Sequence, residues 1–332
     1  MKLFKIFSAF FVVALFIIVM PTGCSKTGYT LTSTTVDSAT QIVIASDELD
    51  VNYEFDQVIN EALLATTISK IASGDSVNSP NGGLYNTISN VSIDTSHITD
   101  SMLIRLTYAG KNTDQTKGRS GSVTLQYGLD NNGKIIQWKT PGASITAAFN
   151  QYEVITLSNN KSVWMNGTVT ITNVSGGLLK AASNINLSAG NSLHDKVNGP
   201  ITFTYNDNTT LIVTWTWNLN QQRTFTMQNS LLTSSITGDT TISNVGQVST
   251  SGLTRFNDNF YTAVITPVVQ TISPAFVLSN PISGEKVIHG IPEPLDVVYG
   301  VNNTGAITTG VPYGYKITWA LNGSQEQSVI SY

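Results

Sequence analysis

Apolar residues recur at every second position along most of this chain, and that period limits what it can fold into. Ile104, Leu106 and Tyr108 alternate with Arg105 and Thr107, and Val123, Leu125 and Tyr127 with Thr124 and Gln126. Ile201, Phe203 and Tyr205 alternate with Thr202 and Thr204. Val213, Trp215 and Trp217 alternate with Thr214 and Thr216, and Tyr315, Ile317 and Trp319 with Lys316 and Thr318. Successive side chains of a strand point to opposite faces, so this period describes strands with one dry and one solvated face. The expected class is mainly β: antiparallel sheets forming a sandwich or an open, barrel-like arrangement, with one N-terminal amphipathic helix.

Turn signals separate the alternating runs. Asp130-Asn131-Asn132-Gly133, Asn206-Asp207-Asn208 and Asn322-Gly323 each stand where a hairpin should reverse. None has the ligand spacing of a calcium loop, so they read as turns. The stretches Leu178–Asn198 and Gln228–Asn257 lack the alternation and are expected to be irregular.

Asp47 to Ala72 carries a helical pattern instead, with Val51, Phe55, Val58, Ile59, Ala62, Ile68 and Ile71 near helical spacing. Ser46 is placed to cap its start and Gly74 to end it, and Asp47, Glu48 and Asp50 suit its positive end. Glu54, Asp56 and Glu61 are expected to form a solvated acidic face.

The first residues read differently again. Lys2 and Lys5 precede an apolar run from Ile6 to Met20 that is shorter than the roughly 20 residues a bilayer span takes. Pro21-Thr22-Gly23 leads to Cys24, the single cysteine. This resembles the lipobox of bacterial lipoproteins, with Pro21 where leucine is commonest. The resemblance implies cleavage before Cys24 and acylation of its thiol, which would attach the chain to a membrane. The expected organisation is a signal peptide over 1–23, a Ser/Thr-rich flexible tether over 24–40, a helix with the main β domain over 41–257, and a C-terminal β segment over 258–332, either separate or continuous with that domain.

Charged residues make up 11% of the chain, against about 25% in ordinary soluble domains. The net charge of −4 provides no cationic surface for nucleic acid. Three histidines, at 97, 194 and 289, leave little material for zinc or His-based catalysis. The acids Glu153, Asp195, Asp207 and Glu285 are scattered, and no Gly-x-Ser-x-Gly frame surrounds a serine. No catalytic residue, metal or cofactor is expected. Trp215 and Trp217 share a strand face and read first as core anchors, second as a platform for sugar rings, with Trp138 or Trp164 as additional faces. Arg119 reads as a structural clamp or, alternatively, a ligand-binding residue.

The order of several patches adds a resemblance over roughly residues 117–330. Arg119-Ser120-Gly121 opens a strand, Phe149-Asn150-Gln151-Tyr152 and Gly167-Thr168-Val169-Thr170-Ile171-Thr172-Asn173 follow, then Thr214-Trp215 and Leu295-Asp296. This order is similar to that of a group of uncharacterised Bacteroidetes lipoproteins. Where members of that group carry a cysteine-bearing turn, this chain has Val301-Asn302-Asn303-Thr304-Gly305. The resemblance implies a lipid-anchored protein of the Gram-negative outer membrane, facing periplasm or cell surface, and no reaction. Its expected role is a non-enzymatic binding or structural one toward a glycan or an envelope protein. The other readings are a glycan-binding accessory protein of nutrient uptake and a hydrolase. Replacing Cys24 with serine should move the protein from the membrane fraction to the soluble extracytoplasmic fraction, read by detergent phase partitioning.

Overall fold

The computed structural model describes residues 37–74, 90–112, 115–181, 185–187, 192–206, 212–228, 231–273 and 277–332. The leader, Cys24, most of the tether and the Asp207-Asn208 turn lie outside the described residues. No helix among the described residues is long and apolar enough to cross a membrane.

Helix α1 spans Ser38–Ile68 and the short α2 Lys70–Ser73. The first strands are β1 Val91–Asp94, β2 Leu103–Lys111, β3 Lys117–Tyr127, β4 Ser144–Thr156 and β5 Lys161–Asn173. A side pair follows, β6 Leu179–Ala181 and β7 Ile185–Leu187. Then come β8 Ser192–Asn206, β9 Ile212–Gln228, β10 Leu231–Gly238, β11 Thr240–Ile242 and β12 Val245–Leu253. The last five are β13 Asn259–Ile272, β14 Ser283–His289, β15 Leu295–Val301, β16 Gly314–Leu321 and β17 Ser324–Ser331. All but β6 and β7 belong to one antiparallel sheet, ordered β1-β2-β3-β4-β5-β8-β9-β10-β13-β14-β15-β16-β17. β10 and β12 share the slot between β9 and β13: β10 pairs with Gln221–Gln228 of β9 and β12 with Trp217–Leu219. The sheet therefore crosses residue 257 without losing its pairing.

The sheet bends around α1. Side chains of the helix bond or pack against β2, β3, β4, β9, β14, β15 and β16. Every residue from Val51 to Thr67 is buried except the half-buried Tyr53. The sheet also climbs along the helix. Tyr108 of β2 meets Glu61, whereas Tyr315 of β16 meets Ser46. That separation is about 22 Å along the axis at the α-helical rise. The two sheet edges are offset, and among the described residues β1 and β17 do not pair.

The antiparallel strands, and the turns at Asp130 and Asn322, stand where the sequence pattern put them. Asp130 accepts from the amides of Asn132 and Lys134 in its turn, and Asn322-Gly323 reverses β16 into β17 with φ of 53° and 81°. Three expectations are corrected. The helix begins nine residues before Asp47, capped by the Asp37 carboxylate on the Thr40 amide, while Ser46 lies inside it. From Val51 to Thr67 the helix is buried on all sides rather than along one stripe. The two supposedly irregular stretches contain β6–β8 and β10–β12. In β10 and β12 buried positions are taken by Ser234, Ser249 and Thr250, small polar residues that erase the apolar period.

Gly121 marks a sharp bend. Its φ is 90°, and a Cβ there would lie 2.1 Å from the Gln151 carbonyl oxygen. Gly121→Ala should lower stability by about 2 kcal/mol or more, measured by urea unfolding with the slope of the transition unchanged.

Candidate functional site

The interior around α1 is polar in a way the sequence conceals. Glu61 sits inside the sheet with its carboxylate fully engaged. Arg119 of β3 donates to both oxygens at 2.8 and 2.7 Å, the Tyr108 hydroxyl donates at 2.9 Å and the Gln57 amide at 2.9 Å. The guanidinium lies over the Tyr108 ring, 4.5 Å from its centroid, and also donates to the Tyr152 hydroxyl at 2.8 Å. Burial, then the nearby Glu61 charge, pushes the Tyr108 hydroxyl well above its ordinary range.

Four more pairs tie the helix to the sheet. Asp56 pairs with Arg223 of β9, and Lys286 of β14 donates to Glu48 at 2.9 Å. Lys117 of β3 donates to Glu54 at 2.7 Å, and Arg255, in the turn before β13, grips both oxygens of Asp47. Burial raises the Asp47 carboxyl to about 6 against the pull of Arg255, and raises Asp56 against that of Arg223. The expected solvated face of Glu54, Asp56 and Glu61 is thus corrected: all three are buried and paired. Arg119 is 7% exposed and spends its donors on Glu61 and Tyr152, so it presents nothing to an outside ligand.

The tryptophan platform is corrected too. Trp215 and Trp217 are 3% and 2% exposed, packed with Phe203, Tyr205 and Phe260. The Trp217 indole N–H donates to the Leu253 carbonyl at 2.9 Å. Inward-facing strand positions inside a bent sheet cannot offer a ring face to a sugar. Trp138 is also buried, whereas Trp164 stands half-buried on the outer face. His194 and Asp195, adjacent in β8, face opposite sides: His194 is exposed beside Thr224, and Asp195 is buried with its carboxyl raised by burial to about 7. They form no acid–base dyad. His97 lies 3.9 Å from Asp94 at the surface, and His289 stacks on Tyr261. No metal-ligating group of His, Cys, Asp and Glu occurs among the described residues.

The structure adds a cleft that no motif announced. It is a cavity of about 320 Å³ where the N-terminal half of α1 leaves the sheet. Val43, Asp47, Asp50, Val51 and Glu54 of the helix form one wall, at helical spacing. Val154, Lys161, Val163 and Met165 of β4 and β5 form the other, with Lys117, Tyr205 and Arg255 at the rim. Arg255 lies over the Tyr205 ring, 4.0 Å from its centroid. Asp47 and Glu54 are committed to Arg255 and Lys117. Asp50 and Lys161 form no ion pair among the described residues and are open to solvent. Partial enclosure between the cleft walls raises the Asp50 carboxyl above its ordinary range, opposed by Lys117.

Comparison of the chain with family models, with curated proteins and with solved structures finds no match in any of the three.

Arg119→Met alone should cost about 3–5 kcal/mol, because Glu61 would be left buried and unpaired. The double replacement Arg119→Met with Glu61→Leu should recover most of that loss in urea unfolding. A double-variant loss equal to the sum of the separate Arg119→Met and Glu61→Leu losses would show that the pair is not coupled.

Proposed function

We propose that this chain is a lipid-anchored, non-enzymatic binding protein of the cell envelope, and that its ligand enters the cleft beside α1. The anchor rests on the Gly23-Cys24 lipobox and its apolar leader. The outer membrane is supported by the likeness to the Bacteroidetes group and by Ser25 following the cysteine, where aspartate would favour inner-membrane retention.

One observation carries the assignment of the cleft: two unengaged, opposite charges, Asp50 and Lys161, stand across apolar walls in a cavity of about 320 Å³. That volume matches the lower range of small-molecule sites. Val51, Val154, Val163 and Met165 supply apolar surface, while Asp50 and Lys161 supply one acceptor and one donor at its mouth. A small zwitterion with an apolar side chain, such as a free amino acid or a dipeptide, satisfies both charges at once. Binding rather than turnover is favoured because the other carboxylates of the cleft, Asp47 and Glu54, are already held by cations.

Thermal unfolding of the full-length chain in mild detergent, with and without a panel of amino acids and dipeptides, tests this. A ligand at about 100 times its Kd adds about 2.7 kcal/mol of stability. That gain should vanish in Asp50→Asn and Lys161→Gln, whose own unfolding should change little. No shift across the panel, or a shift that survives both substitutions, would remove the cleft from the assignment.

A further inference from the structure

The outer face of the sheet carries a second hollow, unrelated to the cleft. It lies over β3, β4 and β5, where two β-bulges stand side by side. The β3–β4 register slips between Ser120 and Ser122, and the β4–β5 register slips between Phe149 and Tyr152. Gln151 sits at both, with φ of 50°, and its amide, drawn out of the ladder, donates to the Asn166 side-chain oxygen at 2.8 Å. Adjacent bulges bend strands and re-aim side chains. Here they dent the sheet into a shallow groove of about 710 Å³.

The lining has a definite chemistry. Trp164 is half-buried on the outward side of β5, flanked in register by Glu153 on β4 and Thr204 on β8. The Ser120 hydroxyl donates to one Glu153 oxygen at 3.2 Å and leaves the other open. Asn150 and Asn166 bring amides to the floor, and among the described residues Glu153 is the single ionisable one in the lining. Among the described residues no lysine or arginine lines the groove, which favours a neutral ligand over phosphate, sulfate or an acidic polymer. Beyond Thr204 the same face continues as an uncharged ladder, with Thr204 bonded to Thr214 and Thr202 to Thr216 at 3.0 Å each.

We propose that this groove binds a pyranose unit of a neutral glycan, with the apolar face of the sugar on Trp164 and its vicinal hydroxyls on Glu153 and the neighbouring amides. An aromatic face beside acceptors and donors of no net cationic charge complements a polyol that has one apolar side. Charge and shape both favour this occupant: a carboxylate accepts two neighbouring hydroxyls, and an open groove admits a chain that continues along the threonine ladder.

Affinity electrophoresis of the full-length chain in mild detergent, through native gels containing dextran, laminarin, yeast mannan or hydroxyethyl cellulose, tests it. At least one of these polymers should retard the protein. Trp164→Ala should weaken that retardation at least tenfold, Glu153→Gln should weaken it less, and Trp164→Phe should keep most of it. Lys161→Gln, a cleft variant, should migrate like the unaltered chain. Circular dichroism checks that the Trp164 variants remain folded. No retardation by any of the four polymers, or unchanged retardation in Trp164→Ala, would overturn the proposal.

Discussion

Burying a helix that carries Glu48, Glu54, Asp56 and Glu61 inside a sheet is permissible only if each carboxylate meets a cation there. The Glu61–Arg119 pair shows how the requirement is met: four donors on one carboxylate, and a guanidinium held between two tyrosines. Ion pairs this deep give little net stability over an apolar core, since desolvation offsets most of the attraction. Their consequence is geometric. A carboxylate displaced by one residue along or around the helix would lose its partner, so the pairs hold α1 at one rotation and one height. The strands that carry Arg119, Arg223, Lys286 and Lys117 are thereby set at defined places around it.

The open form of the sheet follows from the same constraint. Tyr108 of β2 meets Glu61 in the C-terminal half of α1 and Tyr315 of β16 meets Ser46 in its N-terminal half, so the sheet climbs along the helix as it winds. Among the described residues β1 and β17 do not pair, and the sheet keeps two edges. Winding also exposes the N-terminal half of α1 at one mouth, where the walls stand apart and leave the cleft. The bulges at Gln151 accommodate curvature of the same sheet on its other face and produce the groove beside Trp164. Both candidate sites are thus by-products of bending one sheet around one rod.

Strand positions and hairpin turns were legible because a strand repeats every two residues and a reversal needs Asn, Asp or Gly at defined places. The strands around Ile104, Val123, Phe203, Trp215 and Ile317, and the turns at Asp130 and Asn322, show this directly. β10 and β12 were hidden, because the buried positions held by Ser234, Ser249 and Thr250 are polar and break the alternation. The start of α1 was hidden for a related reason: Gln41 to Ala45 looks like a short apolar stretch after a tether, and the cap at Asp37 is recognisable only with the Thr40 amide beside it. The partners of Glu54, Asp56 and Glu61 lie far along the chain, and no local pattern pairs a helix carboxylate with a lysine or arginine on the third or the ninth strand after it.

Local periodicity by itself determined that this chain would form antiparallel strands with one apolar face, preceded by one helix, because alternation and helical spacing depend only on near neighbours. The leader motif is local in the same sense and supplies the expectation about Cys24. Tertiary structure alone decided that the helix lies inside the sheet, that Trp215 and Trp217 are buried while Trp164 is not, and that Asp50 and Lys161 face a common cleft. Those outcomes depend on which distant side chains meet when the sheet curls, and the energy that selects them, pairing of buried charges across tens to hundreds of residues, leaves no trace in any short window of sequence.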